Sequence, residues 1–597
     1  MPIQSALPIP VSADAKPEDI RIALRPARQM CRLWAGTVSQ LQRSEAAALF
    51  TQRALQSFAL QLHPNLKLSP PAHPPQGQLD STAISLADNI GREATALPLD
   101  EGLHFITSLY PAMLPQDQRG ALGAFYTPPA LVRELLDRSE QHGVDWLTAR
   151  VLDPASGGGA FLVGIAMRMR HAMAHIPQQL VLRQIQHRLV GFELDPHAAA
   201  LAQSSLEILL GDLLLATGQT LPAIVHICDT LEEEAKPEFD LVVGNPPYGR
   251  IKLPPEQRQR YARSLYGHAN LYGVFTDIAL RWTTAEGCIA YVTPTSFLAG
   301  NYFSALRALL AREAPPHFLG IVHARTGVFE DVQQETVLTV SRKSTTPVPI
   351  HICHINIVDE AEALIASNGT IRLPVAPGNP WIVPRTPAHS ALANRITAMP
   401  CRLADWGHAV STGPLVWNRH KDKLRSIARG KNIHPLIWSE AVTADGEFLF
   451  RAEKRNHQPY FKAGDEDQWM VVLTPCVLVQ RTTSKEQSRR LLAAELPESF
   501  IAESDGVVIE NHLNMIRPCT PTHVPLTIVA ALLNSKAADQ AFRCISGSVA
   551  VSAFELESLP LPAASELESL TRLVEEDRPR SEIEAECFRL YGLSACS

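Results

Sequence analysis

The spacing of hydrophobic positions changes along the chain. In residues 21–62 and 97–114 apolar side chains recur at helical intervals, which predicts helices, and the proline-rich stretch 63–78 between them predicts a loop. From 119 to about 345, short β-branched or aliphatic runs alternate with longer helical stretches. The short runs are ARVLD (149–153), RLVGFELD (188–195), AIVHICD (223–229), FDLVVG (239–244), GCIAYVTP (287–294) and FLGIVHA (318–324). Such alternation indicates an α/β fold with a doubly wound, mostly parallel sheet.

A chain of 597 residues is long enough for several domains, and the pattern divides it into five predicted segments. These are a helical N-terminal region (1–118), the α/β domain (119–345), a connecting segment punctuated by prolines (346–410), a less regular α+β domain (411–565) and a helical tail (566–597). In a doubly wound sheet, ligands bind outside the carboxyl ends of the strands. The polar residues that follow the predicted strands are therefore the first candidates for chemistry.

Composition narrows the class of protein without defining it. With 46% hydrophobic and 19% charged residues, the chain is not disordered, collagen-like or a coiled coil. The net charge of -7 argues against nucleic-acid binding by the surface as a whole, because phosphate affinity comes from cations. Whether the chain can bind nucleic acid therefore depends on local clusters of basic residues.

The cysteines and the N-terminus predict a cellular compartment. The ten cysteines are dispersed without a CxxC pair, which is typical of buried thiols in a reducing compartment. The run His351-Ile352-Cys353-His354 favours a strand over a zinc site, because no second ligand cluster accompanies it, and no metal is expected. The N-terminus lacks a basic and apolar leader, and no apolar run approaches the ~18 residues of a membrane span. We expect a cytoplasmic protein without a membrane partner.

The sequence DPASGGGAF (153–161) directly follows the first predicted strand of the sheet. Glycines at a strand-to-helix turn allow a ligand to approach the backbone and the free N–H groups of the helix. Leu162 stands where a dinucleotide fingerprint has its third glycine, and Asp153 would repel a pyrophosphate. An aspartate here suits a ligand with an ammonium group, although a glycine-rich connection without a ligand remains an alternative.

Two further acids end the next two predicted strands. Glu193 follows the second strand, where an acid can accept both hydroxyls of a ribose, and Asp229 follows the third, where a carboxylate could accept an adenine amino group. Each acid alone is more often a turn or helix cap. Three acids after three successive strands describe a site for ammonium, ribose and adenine, which is the shape of S-adenosylmethionine.

The tetrapeptide Asn245-Pro246-Pro247-Tyr248 follows the fourth predicted strand. A simple turn is the alternative interpretation. An aromatic exocyclic amine is a poor nucleophile because its lone pair is delocalised, and the Asn245 side-chain oxygen and the Pro246 carbonyl can accept its two N–H bonds. Proline fixes φ and so holds the carbonyl, while Tyr248 offers a ring face for a flat base. In-line methyl transfer would then depend mainly on positioning.

These segments, in this order, resemble the γ class of N6-adenine DNA methyltransferases. The resemblance rests on Tyr126-Thr127-Pro128, DPASGGGAF, GFELDP (191–196), Asp229 and the NPPY tetrapeptide. It implies a Rossmann-like class I fold that binds S-adenosyl-L-methionine, with a target-recognition domain last. It covers roughly 119–345 strongly and the rest of the chain only in architecture. Ser156 and Gly158 depart from the common DPxCGSG loop, which should not abolish binding because backbone groups carry most of the contact.

The resemblance also implies roles for individual residues. For the cofactor it implies Tyr126 and Thr127 at the methionine tail, Asp153, Ala155, Gly157 and Gly159 at the methionine moiety, Glu193 on the ribose, Asp229 on the adenine and Phe275 against the adenine ring. For the target base it implies Tyr248 and Phe329. Core packing remains an alternative for both phenylalanines.

Basic clusters occupy the α+β domain. A base inside a duplex must be flipped out to be methylated, so a second surface has to hold the DNA. The candidate DNA-binding residues are Arg419, Lys421, Lys423, Arg425, Arg481 and Lys485. A solvated charged face is the alternative, but a large domain behind an adenine-transferase sheet favours DNA contact.

The combined hypothesis is a site-specific, adenine-specific DNA methyltransferase, the modification enzyme of a restriction-modification or phage-defence system. A methyltransferase acting on RNA adenine or on protein glutamine, and a non-catalytic DNA-binding subunit, are the alternatives. The E-x-K sequence Glu234-Ala235-Lys236 lies between two predicted strands, where a nuclease core cannot fit. A cognate restriction endonuclease, if there is one, is expected to be a separate protein.

Overall fold

The computed structural model describes residues 16–122, 127–323, 335–344, 346, 348–482, 489–519, 521–546 and 550–593. The chain forms two compact units. The first comprises Met1–Pro294 and Ala308–Ser367, and the second comprises Thr295–Arg307 and Asn368–Ser597. A short segment between two strands of the large sheet thus belongs to the second unit.

Helices occupy the N-terminal part of the first unit, as the sequence predicts. They are α1 (Pro17–Thr37), α2 (Arg43–Leu62), α3 (Ser81–Ala94), α4 (Leu99–Thr107), α5 (Leu109–Met113), α6 (Gln116–Leu122) and α7 (Pro129–Gln141). The predicted proline-rich loop separates α2 from α3, and Asp80 caps α3 by accepting a hydrogen bond from the Ala83 N–H at 2.8 Å. Apolar residues of α1–α5 belong to the same continuous core as the strands and helices of the sheet. The helical region is therefore built into the first unit.

A mixed sheet forms the centre of the first unit. Its strands and the two short strands β5 and β6 are β1 (Val151–Asp153), β2 (Leu189–Glu193), β3 (Val225–Ile227), β4 (Phe239–Gly244), β5 (Arg250–Ile251), β6 (Ala269–Asn270), β7 (Thr283–Pro294), β8 (Pro316–His323), β9 (Thr336–Arg342), β10 (Ile350–Ile357) and β11 (Ala363–Ile371). The helices between them are α8 (Ala160–Ala172), α9 (Gln178–Arg188), α10 (Pro196–Leu209), α11 (Gly211–Thr217), α12 (Pro255–Arg260), α13 (Leu271–Trp282), α14 (Ser296–Ala299) and α15 (Ser304–Glu313).

The strand order confirms the doubly wound, mostly parallel sheet. Over the described part of the chain, nine strands pair in the order β11-β10-β8-β9-β7-β4-β1-β2-β3. Neighbours among β3, β2, β1, β4 and β7 run parallel, whereas β9 lies antiparallel between β7 and β8. The His351–His354 run lies in β10, which pairs parallel with β8. Two strands of the sheet, β10 and β11, thus begin within the proline-punctuated segment.

The sheet places the residues after its strands at one edge. In β1 all three residues are buried, and in β4 five of six, because helices cover both faces of a doubly wound sheet. Val151 pairs with Leu189 of β2 and with Leu241 of β4, so these strands end side by side. The polar residues that follow their carboxyl ends are therefore brought together.

The second unit has an α+β organisation. Its elements are α14, the strands β12 (His408–Thr412), β13 (Leu424–Arg425), β14 (Ile433–Ile437), β15 (Tyr460–Lys462), β16 (Val471–Val472), β17 (Cys476–Gln480), β18 (Ala493–Leu496), β19 (Val507–Ile509) and β20 (Leu513–Pro518), and the helices α16 (Ser390–Thr397), α17 (Glu498–Glu503), α18 (Leu526–Leu533), α19 (Lys536–Ile545), α20 (Ala553–Glu557), α21 (Glu568–Glu575) and α22 (Arg580–Leu590). Two sheets, in the orders β12-β20-β17-β18 and β13-β15-β14-β19-β16, carry it.

The buried side chain of Arg307 explains why residues 295–307 join the second unit. Its guanidinium donates hydrogen bonds to the carbonyls of Phe297, Gly300, Gly378 and Asn379 at 2.8–3.2 Å. Such a buried cation must be hydrogen-bonded to be tolerated. These bonds tie the segment to a part of the chain about 70 residues away.

Among the residues that the structure describes, no helix is by itself long and apolar enough to cross a membrane. Only the pair α10 and α11, taken together across a 66° bend, meets the requirements of length and composition.

Candidate active site

A cavity of about 260 Å³ lies in the first unit at the carboxyl edge of its sheet. Its lining includes residues assigned from the sequence to the cofactor, which are Thr127, Ala155, Gly157, Glu193, Asp229 and Phe275. It also includes Asn245 and Pro247 of the NPPY tetrapeptide. Tyr126 and Phe329 lie outside the described residues. The structure therefore brings most of the predicted cofactor residues and two NPPY residues to one cavity, whereas Asp153, Gly159, Pro246 and Tyr248 are not among its lining residues.

The glycine turn shapes the floor of this cavity. Gly157 and Gly159 have φ angles of +50° and +86°, in the left-handed region that favours glycine. A Cβ on Gly159 would lie 2.9 Å from the Cβ of Ala202 in α10, whereas a Cβ on Gly157 would meet nothing within 4 Å. Gly159 is thus needed for close packing, and Gly157 leaves open space on the side of the cavity.

Asp153 lies at the end of β1 with only 1% of its surface exposed. Its Oδ1 accepts a hydrogen bond from the Ala155 N–H at 3.1 Å, and its buried Oδ2 has no hydrogen-bond partner among the described residues. A Cβ on Gly244 would lie 2.7 Å from Oδ1, so β4 approaches this carboxylate closely. Burial, with a smaller contribution from Glu193, raises the pKa of Asp153 to about 8. A buried carboxylate with an unsatisfied oxygen fits a cationic ligand such as an ammonium group.

Glu193 is fixed at the end of β2 by two backbone donors. The Gly157 N–H donates to Oε2 at 2.7 Å and the Asp195 N–H to Oε1 at 2.9 Å. Burial raises the pKa of Glu193, against the effect of these hydrogen bonds. Each carboxylate oxygen has a second lone pair, so both can still accept a hydroxyl. The geometry fits a pair of vicinal ribose hydroxyls.

Asp229 stabilises the turn in which it lies and also lines the cavity. Its Oδ1 accepts a hydrogen bond from the Leu231 N–H at 2.9 Å, which is the turn role that the sequence alone also allows. The residue nevertheless lines the cavity together with Phe275 of α13. The two residues thus offer an acceptor and a ring to the same ligand.

The NPPY tetrapeptide begins where β4 ends. The Tyr248 hydroxyl lies 2.5 Å from Asn245 Oδ1, to which it donates, and 3.1 Å from the Val292 carbonyl of β7. Its ring meets Tyr272 edge-on at 6.1 Å, and burial raises the pKa of the phenol, so the hydroxyl remains a donor. This hydrogen bond orients the Asn245 amide. Sequence reasoning assigned Tyr248 only a stacking role, which a phenylalanine could also fill.

Tyr110 and Asp195 also line the cavity and were missed from the sequence. Tyr110 belongs to α5, and its hydroxyl donates to Asp195 Oδ2 at 2.7 Å. The Asp195-Pro196 step signals a helix N-terminus, but no pattern in the sequence connects it to a tyrosine 85 residues earlier.

In the second unit, the basic residues proposed to bind DNA differ in their surroundings. Arg419 and Lys421 are exposed, and the Lys421 ammonium lies 5.5 Å from the centre of the Trp417 ring. Lys423, by contrast, contacts Glu466 at 2.7 Å and Asp467 at 2.6 Å, and these hydrogen bonds raise its pKa. Its charge is therefore compensated within the unit.

Two arginines of the same set donate to backbone carbonyls. Arg425 donates to the carbonyls of Asp422 and Leu424 at 2.7 Å, and Arg481 donates to the Asn511 carbonyl at 2.7 Å. Lys485 lies outside the described residues. Because a carbonyl does not neutralise a guanidinium, both arginines keep their positive charge.

The fold and the cavity together define a class of protein. The strand order, the glycine turn and the acids at the ends of β1 and β2 fit a class I methyltransferase whose cofactor is S-adenosyl-L-methionine. Residues 219–324, which run from β3 through the NPPY tetrapeptide to the end of β8, match the family described as Eco57I restriction-modification methylase.

Relatives agree with this match. The chain is 25% identical over 481 residues to the Type II methyltransferase M.BsuBI of Bacillus subtilis, covering 77% of this chain and 91% of the relative. It is 27% identical over 361 residues to the Type II methyltransferase M.PstI of Providencia stuartii, covering 58% and 69%. A solved structure of the Type IIL restriction-modification enzyme MmeI in complex with DNA aligns with a TM-score of 0.48 and 14% identity, over 88% of this chain and 83% of that one. The chain is thus similar to Type II methyltransferases over most of its length.

Proposed function

We propose that this protein is a site-specific DNA methyltransferase that modifies N6 of an adenine flipped out of duplex DNA. One observation carries the proposal. Asn245 and Pro247 line the same cavity as Glu193 and Asp229, so a group that can hold an aromatic amine adjoins groups that suit the methyl donor. The relatives named Type II methyltransferases support this function.

The described residues around the cavity suit the cofactor. S-adenosyl-L-methionine supplies, when bound, a methyl group on a sulfonium. Asp153 Oδ2, buried and without a partner among the described residues, would accept the ammonium group, and Glu193 would accept the ribose hydroxyls. Asp229 and Phe275 would hold the adenine ring. Thr127 would contact the carboxylate, as the resemblance implies.

The NPPY residues would hold the acceptor amine. Asn245 Oδ1 and the Pro246 carbonyl would each accept one N–H bond, which would concentrate the lone pair on the nitrogen, toward the side of attack, instead of leaving it delocalised into the ring. Pro246 is buried and its φ is fixed, while the Tyr248 hydroxyl orients the Asn245 amide. Positioning of this kind accounts for much of the rate of a two-substrate reaction. The Tyr248 ring, with Phe329, would contact the flipped base.

The α+β part of the second unit (411–565) would recognise the DNA sequence. Exposed Arg419 and Lys421 would contact phosphates, with Arg425, Arg481 and Lys485 extending the surface. Because Asp467 and Glu466 compensate Lys423, we assign it a smaller part in DNA binding than its neighbours.

We further propose that the protein is the modification enzyme of a restriction-modification or phage-defence system, and that its cognate endonuclease is a separate protein. Glu234 and Lys236 lie in the connection between β3 and β4 and contact each other at 3.4 Å on the surface. An ion pair in a short connection between sheet strands does not form a nuclease core.

The decisive experiment is to incubate the purified protein with duplex DNA and S-adenosylmethionine labelled in its methyl group. We expect label in DNA, N6-methyladenine after digestion, and one sequence context on single-molecule sequencing. Asn245→Ala serves as the inactive control. Label that enters only RNA or protein, or a modified cytosine in place of adenine, would refute the proposal.

A further inference from the structure

The N-terminal helices reach the cofactor cavity at α5. Tyr110 of α5 lines the cavity with its neighbour Pro111 and is only 1% exposed. The Tyr110 hydroxyl donates to Asp195 Oδ2 at 2.7 Å and lies 3.3 Å from the Ser44 hydroxyl of α2. Two helices that carry no recognisable motif therefore meet at a residue of the site.

Asp195 connects Tyr110 to Glu193, the acid at the end of β2. Its Oδ1 accepts a hydrogen bond from the His197 N–H at 3.0 Å and so caps α10. Its own backbone N–H donates to Glu193 Oε1 at 2.9 Å, and Glu193 Oε2 accepts from the Gly157 N–H of the glycine turn at 2.7 Å. A continuous series of hydrogen bonds thus runs from Tyr110 through Asp195 and Glu193 to Gly157.

The hydroxyl of Tyr110 sets the position of Asp195. Asp195 is 8% exposed, and a buried oxygen that loses its donor is destabilised because water does not readily replace the lost hydrogen bond. Without the Tyr110 hydroxyl, the Asp195 side chain would turn toward water, and the backbone N–H that holds Glu193 would move with it. The ring itself is held separately, because it packs edge-on against His197 at 6.2 Å.

We infer that Tyr110 is a positioning residue for the ribose-binding acid Glu193, and that the N-terminal helices form part of the cofactor site. The inference rests on the proposed cofactor roles of the cavity. The N-terminal helices, whose sequence contains no catalytic or binding motif, thereby gain a role in cofactor binding.

The test is Tyr110→Phe, which keeps the ring and its contact with His197 but removes the donor. Isothermal titration calorimetry with S-adenosylhomocysteine should show about a tenfold rise in Kd, as expected for one lost hydrogen bond to a charged group. The kcat at saturating cofactor should stay within about twofold, because the NPPY residues are not part of the series. Ser44→Ala, which removes a hydroxyl that lies 3.3 Å from that of Tyr110, is the matched control and should leave Kd unchanged.

Two further measurements separate positioning from general stability. The 2′-deoxy analogue of S-adenosylhomocysteine should bind more weakly than the parent to the wild type, and this difference should shrink in Tyr110→Phe. In an Asp195→Asn background, Tyr110→Phe should have little further effect, because coupled residues are not additive.

An unchanged Kd in Tyr110→Phe, or an equal loss for both ligands, would overturn the inference while leaving the proposed function intact. A wild-type protein that binds neither ligand would instead refute the proposed function itself. If Tyr110→Phe does not fold, Asp195→Asn decides the question, because it must by itself reduce the difference between the two ligands.

Discussion

Replacing Asp153 with asparagine tests the electrostatics of the cofactor site. The substitution keeps the size of the side chain and an oxygen that can accept the Ala155 N–H, but it removes the charge. With a pKa of about 8, the Asp153 carboxyl is about nine-tenths protonated at pH 7. A cationic ligand requires the ionised form, so binding must release that proton.

The expected magnitudes follow from this pKa. Between pH 6 and 7 the affinity of the wild type for S-adenosylhomocysteine should rise about tenfold, with about 0.9 proton released per ligand at pH 7. In Asp153→Asn the affinity should fall by two to three orders of magnitude, since an ammonium group without its buried partner loses about 3–5 kcal/mol. The remaining affinity should be independent of pH in this range.

The free energy of unfolding of the unliganded protein should fall as pH rises, whereas its affinity for the ligand rises. An aspartate in the unfolded chain has a pKa near 3.9, so between about pH 4 and 8 the unfolded state is ionised while the folded state keeps the proton. The stability of the unliganded wild type therefore falls as pH rises through this window, by roughly 4 kcal/mol at pH 7 for a shift of this size. Asp153→Asn lacks this loss, although its buried amide costs about 1–3 kcal/mol, so it should be at least as stable as the wild type at pH 7.

Calorimetric titrations in two buffers of different ionisation enthalpy measure both affinity and proton release. Thermal unfolding of the unliganded proteins at pH 5 and pH 7 measures the change in stability. Asp212→Asn is the control, because Asp212 pairs with Arg170 on the partly exposed surface of the first unit and should leave binding unchanged. Equal proton release in wild type and Asp153→Asn, or a variant that is much less stable at pH 7, would refute the reasoning.

Three other predictions concern the acceptor and the DNA. Asn245→Ala should bind the cofactor as the wild type does but lose about 10²–10³-fold in methyl transfer, and a turnover near that of the wild type in a radiolabel assay would contradict its role. Tyr248→Phe should lower kcat about tenfold by freeing the Asn245 amide while DNA affinity in a gel-shift titration stays constant; an unchanged kcat would mean that Tyr248 only stacks, because phenylalanine keeps the ring. Arg419→Ala and Lys421→Ala should each reduce the salt dependence of DNA binding by about one unit, whereas Lys423→Ala should mainly lower the unfolding temperature. A dominant effect of Lys423 on the salt dependence would reverse that assignment.

Most of the sheet follows from the sequence because local pattern determines it. The predicted run 239–244 coincides with β4, and the other runs overlap strands at nearly the expected places. The antiparallel insertion of β9 between β7 and β8 depends on pairing between distant segments, which hydrophobic spacing does not encode. The same holds for residues 295–307, whose place in the second unit depends on the hydrogen bonds of Arg307 to carbonyls far along the chain.

The candidate site likewise contains residues that could be predicted from the sequence and residues that could not. Residues that follow strands, such as Asp153 and Asn245, could be found because the edge of a parallel sheet collects them. Tyr110 could not be found, because its partner Asp195 is remote in sequence and the contact arises from packing of α5. A local cluster of basic residues in the sequence does not show which of them are paired in the fold. Lys423 is an example, because its counter-ions Glu466 and Asp467 follow more than 40 residues later.

Several energetically unfavourable features of the first unit lie together, and their position indicates a functional site. Asp153 is buried without a counter-ion among the described residues, Gly157 and Gly159 have left-handed backbones, and Glu193 is an ionisable group whose partial burial raises its pKa. A fold optimised for stability alone would avoid each of these, because local rules are usually broken at functional sites. A ligand with an ammonium group and vicinal hydroxyls would relieve the cost at Asp153 and satisfy Glu193. The unliganded protein therefore carries an energetic cost at the proposed cofactor site, and binding should stabilise this unit by an amount that grows with the logarithm of the ligand concentration.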